Sequence, residues 1–429
     1  MTRTYLRKGA TIWFLIMGLG SSAFSASTVT LQECFNLAVA QSELLKINQE
    51  TISQIAAQRR ATRGLSLPYV QWQWNNIRQD VSGIRPSGSG SDQTNSQKSR
   101  TTSSFNAVQP LYSGFAEFSA MSSLLSEKER EELMYKRAVD VLYADVARTY
   151  YGVILLEADL ANVRDSAGLT GERVDELKER VRLGKSRRSE QLSSQSQSDN
   201  LFAEETRLRG DVFRERQSLS FLTGRDMSNA VLVDRIDLSS APINLTDALQ
   251  RSQKRADIMA FEADVDAKRK AIHVARSVFH PTAEVEGNWY TQRPPGLLED
   301  SDWDLIFRAE VPIFQGGGAF AASAEAKSRY REAELTLARL KRTVAWEVTT
   351  SVNLYESSVK EAQALRSAYE KARESYQIHV REYRLGLVNN LDVLQSQNIM
   401  QDIKHDLDRA LLDAKLSFID VGLSTGEKL

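Results

Sequence analysis

Between Ala319 and Leu385 the chain contains neither proline nor glycine. Apolar or aromatic residues recur there at Leu337, Leu340, Val344, Val348, Val352, Tyr355, Val359, Ala362, Leu365, Tyr369, Ala372, Tyr376, Val380 and Tyr383. Their mean spacing of about 3.5 residues keeps one stripe facing a partner helix, as in a coiled coil. The pattern predicts one helix over 319–384, which at about 1.5 Å per residue reaches on the order of 100 Å. It is entered through V-P-I-F-Q-G-G-G at Val311–Gly318 and left through R-L-G-L-V-N-N-L-D-V-L at Arg384–Leu394.

The same grammar occurs twice. With a shift of about 200 positions, Phe105 falls on Phe307, Pro110 on Pro312, Tyr112 on Phe314, Gly114 on Gly316, Arg182–Gly184 on Arg384–Gly386, Leu192 on Leu394 and Gly224 on Gly426. This predicts two repeats, 26–240 and 241–429. Each has a first helix (31–65; 245–279), two strands (about 67–80 and 102–112; about 281–293 and 302–314), a long helix (115–182; 319–384) and a last helix (188–222; 390–423). The first and last helices together match the long one in length, so stacked end to end they complete a rod two helices thick. Extra residues in the first repeat fall in the Gly/Ser-rich stretch Ser82–Ser104, expected to be a surface loop.

The strand segments alternate. Val70, Trp72 and Trp74 oppose Gln71, Gln73 and Asn75; Ala283, Val285 and Trp289 oppose Glu284, Glu286 and Asn288; Trp303, Leu305, Phe307, Ala309 and Val311 oppose Asp302, Asp304, Arg308 and Glu310. Ser103–Leu111 alternates most weakly. Alternation alone fits any half-buried sheet. The chain, however, opens with a charged stretch, an apolar run at Ala10–Leu19 and small residues around Ala23, an export signal over 1–25. In an exported chain with no later apolar run long enough for a spanning helix, membrane insertion must use strands. Strands of about ten residues, with aromatics on one face and polar groups on the other, are the mark of an outer-membrane barrel. Trp72, Trp74, Trp289, Trp303 and Phe307 are then expected to face lipid, and Glu284, Glu286, Asp304, Arg308 and Glu310 the lumen. Four strands cannot close a barrel, so copies must pool theirs.

Composition removes other classes. Basic and acidic residues balance at 55 and 56, which argues against a nucleic-acid partner. Cys34 is the only cysteine and reads as a small buried apolar residue. His273, His280, His379 and His405 have no metal-site spacing, and Gly316–Gly318 is not followed by the lysine of a phosphate loop. No enzyme and no cofactor is expected.

The tandem repeat, T-L-Q-E-C-F-N-L-A from Thr30, the paired P-L-Y-S-G and P-I-F-Q-G junctions and R-L-G-L-V-N-N-L-D-V-L together resemble the TolC-like outer-membrane efflux protein family. The resemblance covers the mature chain. It implies a mainly α fold with a β-barrel part: a homotrimer whose four strands per chain make a twelve-stranded barrel, continued by a long periplasmic helical tunnel. It further implies a passive exit duct that works with a periplasmic adaptor (membrane fusion protein) and an inner-membrane pump or ABC transporter, in tripartite efflux or type I secretion. The tip turns correspond to Gly184 and Gly386. Asp392 matches a constriction acid, whose usual second ring is Gln395 here. Tyr383 and Glu190 match a closed-state tip link, while Val388 replaces the arginine of another. Set against this stands a non-conducting periplasmic coiled-coil scaffold or adaptor whose strands form a small soluble domain.

Overall fold

A computed structural model describes residues 28–80, 99–235, 243–294 and 298–427; the export signal expected at 1–25 lies outside them. Eight helices and six strands run in the order β1 (Thr28–Val29), α1 (Leu31–Gln41), α2 (Glu43–Gly64), β2 (Tyr69–Arg78), β3 (Ser99–Ser113), α3 (Ala116–Arg182), α4 (Arg188–Thr223), β4 (Val231–Leu232), α5 (Leu245–Ser252), α6 (Ala256–Ser277), β5 (Thr282–Gln292), β6 (Trp303–Glu310), α7 (Gly318–Arg384) and α8 (Asn390–Thr425) among the described residues. The long helices α3 and α7 have 67 residues each, and α4 and α8 have 36 each. None of these helices is apolar enough to cross a membrane.

Two differences from the sequence expectation concern the first helix of each half. Instead of a single helix over 31–65, the chain breaks at Ser42, whose hydroxyl accepts from the Leu45 N–H and caps α2. Instead of one over 245–279, it breaks at Gln253–Arg255, where Arg255 is drawn into a buried ion cluster. Local capping explains the other starts. Thr30 and Glu33 form a reciprocal capping box before α1, and Asn389 and Asp392 do so before α8.

The core lies where these breaks fall. One cluster joins Val29, Cys34 and Ala38 to Val146, Ala147, Tyr150, Tyr151, Leu219 and Met227. A second joins Ala248 and Ile258 to Val344, Val348, Val352 and Tyr355 of the α7 stripe. The strand pair β1–β4, absent from the sequence reading, is parallel and two residues long. It is fastened by the Tyr150 hydroxyl, which donates to the carbonyl of Val29 (2.8 Å) and accepts from the Val233 N–H (2.9 Å). Cys34 is fully buried and burial pushes its thiol up to about 11, so it is an inert packing residue.

The remaining strands form one antiparallel sheet in the order β2-β3-β5-β6. The segment expected to alternate most weakly, β3, runs 15 residues because it pairs on both sides. By contrast β6 stops at Glu310 rather than continuing to 314. Pro312 has no N–H to donate, and β6 has a neighbour on one side only.

Candidate functional site: a two-faced sheet and a helical tip

The register brings the alternating side chains into rows. Trp72, Phe105, Trp289 and Trp303 stand directly opposite one another across all four strands, and each is exposed by 49–62%. The neighbouring row is Val70, Ala107, Gly287 and Leu305, and Phe307 lies on the same face. An uncovered apolar row of this width has no place in water.

The other face is a connected polar mosaic. The Gln71 amide donates to Asn106, and the Asn106 amide to Glu286 and Asn288, both at 2.8 Å. Asn288 donates to Asp304 at 2.9 Å, and Arg308 bridges Glu284 and Glu286. The structure thus gathers Glu284, Glu286, Asp304 and Arg308 on one face, with Glu310 at its edge opposite Thr282. It adds a cation the sequence reading missed, Arg293, which is paired with Asp304 at 2.6 Å. Among the described residues, the sheet's two outer strands, β2 and β6, each have one pairing edge unfilled.

At the far end of the helices, α3 turns into α4 at Gly184 (φ +68°) and α7 into α8 at Gly386 (φ +77°). The two turns are built alike. The Lys185 and Leu387 N–H groups reach back to Arg180 O (2.8 Å) and Glu382 O (3.0 Å), and those of Gly184 and Gly386 to Val181 O and Tyr383 O. This is a left-handed helix stop that glycine accepts at least cost.

Asp392 is half-buried and its carboxylate accepts from the Asn389 N–H at 3.0 Å, so it works as a helix cap. Gln395, three residues on, is exposed. Tyr383 is buried, but no hydrogen bond joins it to Glu190 among the described residues; Glu190 accepts from the Ser186 hydroxyl instead. The Tyr383 ring lies under two guanidinium groups of α3, Arg173 at 4.5 Å and Arg180 at 4.7 Å. Glu176 holds both arginines, at 3.1 and 3.0 Å. Burial pushes the Tyr383 phenol above its usual value, opposed by the arginines, so the ring is neutral and its face remains a cation acceptor. Arg173 and Arg180 were legible only as two basic residues seven apart on α3, aligned along one face.

Such a molecule, a two-faced sheet with open edges set on paired helices far longer than a globular domain needs, has the TolC-like fold. Residues 245–423 match the family described as outer membrane efflux protein. It is 22% identical over 430 residues to the outer membrane protein TolC of Vibrio cholerae, covering 96% of this chain and 94% of that protein. It is also 26% identical to the outer membrane protein OprJ of Pseudomonas aeruginosa over 149 residues, covering 34% of this chain and 31% of that protein. Among solved structures it resembles CusC (TM-score 0.81, 17% identity, 99% of each chain). It likewise resembles the outer membrane protein VceC of Vibrio cholerae (TM-score 0.80, 17% identity, 92% of this chain and 96% of that one). These likenesses are all to efflux or channel proteins of the outer membrane.

Proposed function

We propose that three copies of this chain assemble into a passive exit duct. Their twelve strands close a barrel in the outer membrane, and their helices prolong it as a periplasmic tunnel. The observation that carries this is the sheet. Among the described residues it has four strands, two unfilled edges and an exposed aromatic row, and it can neither close alone nor leave open edges in lipid. In this reading the chain after the export signal is two repeats, 26–240 and 241–429. Trp72, Trp74, Trp289, Trp303 and Phe307 meet lipid, and Glu284, Glu286, Asp304, Arg308 and Glu310 line the lumen.

The tip residues Gly184, Gly386, Asp392, Gln395, Tyr383 and Glu190 surround the periplasmic mouth, where a periplasmic adaptor and an inner-membrane pump or ABC transporter dock. Relatives carry names such as probable efflux pump outer membrane protein TtgC and antibiotic efflux pump outer membrane protein ArpC. These names favour small molecules as cargo; secreted proteins are the alternative a wide tunnel permits. The test is extraction from outer membranes by detergent followed by planar-bilayer recording. Heat-modifiable trimers that conduct are expected. A water-soluble, non-conducting periplasmic species would replace the duct by a scaffold. Cysteines placed beside Gly184 and Gly386 should cross-link to the adaptor, and its identity sorts efflux from secretion.

A further inference from the structure

Just below the sheet, α6 and α7 leave a groove of about 510 Å³ lined by Arg276, Phe279, His280, Phe320, Lys327 and Arg331. Its side of the molecule can be read from an aromatic ladder in the first half. After a register shift in β3, Tyr112 pairs with Ala283 on the apolar face. Its ring contacts Phe115 at 5.3 Å, and Phe115 contacts Phe118 at 6.3 Å. Phe320 follows Phe118 by the same interval that separates Pro312 from Pro110. It therefore continues the lipid-side face downward, and its ring lies 5.0 Å from Phe279.

The cations of the groove are uncompensated. Nearby Arg269 and Arg329 are paired with Asp266 and Glu325, whereas among the described residues Arg276, Lys327 and Arg331 have no carboxylate partner. Side chains on a helix lean toward its N-terminus, which for α7 is the sheet end, so Lys327 and Arg331 reach up toward the membrane surface. Paired aromatic rings over a cluster of free cations at this level match a phospholipid: rings at the glycerol and upper acyl region, cations at the phosphate.

We propose that this groove binds the headgroup of an anionic phospholipid from the leaflet nearest the helices. The inference rests on the sheet being embedded in the membrane, and its test separates the two. Full-length protein is inserted into nanodiscs of phosphatidylcholine alone or doped with phosphatidylglycerol, and the lipids retained after transfer to detergent are counted by native mass spectrometry. Wild type is expected to retain phosphatidylglycerol roughly five- to tenfold over phosphatidylcholine. The combined Arg276→Gln, Lys327→Gln, Arg331→Gln variant should lose that preference, while the control Arg329→Gln, Arg339→Gln, Arg342→Gln keeps it. Insertion with equal retention of both lipids overturns the site without touching the membrane reading. Full competition by inorganic phosphate would make it a free-anion site, and loss of oligomer with unchanged lipid preference would make the groove a contact between copies; either result overturns the proposal. Failure to insert at all refutes the membrane reading itself.

Discussion

Tyr383 adds to the links between the two hairpins near the tip, where Asn390 donates to Ser194 and Gln397 to Thr170: its ring, at the end of α7, is held by Arg173 and Arg180 of α3 at 4.5 and 4.7 Å. A cation–π contact is worth about 0.5 to 2 kcal/mol, rising as the pair loses water. Arg173 is 9% exposed at its side chain and Arg180 32%, so the first belongs near the upper value and the second near the lower. Together they hold the α7–α8 hairpin against α3 by about 1 to 3 kcal/mol. Tyr383→Leu retains apolar bulk and removes the quadrupole, so the detached population at the tip should rise roughly 5- to 150-fold. Amide hydrogen exchange of full-length protein in detergent, followed over residues 376–398, reads that population directly. Tyr383→Phe retains the ring and should exchange like wild type. If Leu is silent, the guanidinium contacts hold nothing. If Phe exchanges as fast as Leu, the hydroxyl and an acid such as Glu190 are the link, and the cation–π account fails.

Other predictions follow from the buried charges and the turns. Asp257→Ala should cost about 1.5 to 3 kcal/mol in thermal unfolding. It strips Arg255, only 2% exposed, of two bonds at 2.8 and 2.7 Å and leaves it held by Glu347 at 2.6 Å and the Ser424 carbonyl. Gly386→Val should cost about 1 to 2 kcal/mol by urea unfolding, because φ is +77° there. Gly210→Ala, mid-helix in α4 with open space around it, should instead gain about 0.5 to 1 kcal/mol. The Asp266 carboxyl is held down to about 2, chiefly by the hydrogen bond from Lys270. Its folded value is depressed, so its contribution is present above the ordinary value of 3.8 and is lost as pH falls toward about 2. The stability gap between wild type and Asp266→Asn should close over that range. At this partly exposed, solvent-screened site the gap is under about 1 kcal/mol.

The long helices were legible because nothing interrupts their stripe: the sequence predicts 319–384, and α7 spans Gly318–Arg384. The tip turns were legible from R-L-G. What escaped depends on partners distant in sequence. Ser42 and Arg255 sit in patterns with no proline or glycine, and the chain breaks there because a local cap and a buried cluster outcompete one more helical turn. Two-residue strands such as β1 and β4 carry no periodicity to detect. At the candidate site the alternation marked which residues share a face. It could not show that Arg293 joins the polar mosaic, or that Tyr383 answers to arginines on another helix, since both are tertiary contacts.

The interruptions in the short helices are not scattered. Gly224, at the end of α4, abuts Gln41 at the α1–α2 break, and Gly426, at the end of α8, abuts Arg255 at the α5–α6 break. Like planks butted at a frame, α4 and α8 end against the α1–α2 and α5–α6 breaks, and α3 and α7 pass these points as unbroken helices. Bending or twisting applied at either extremity concentrates at that waist, and there the molecule has placed its two buried apolar clusters and the ion-paired Arg255.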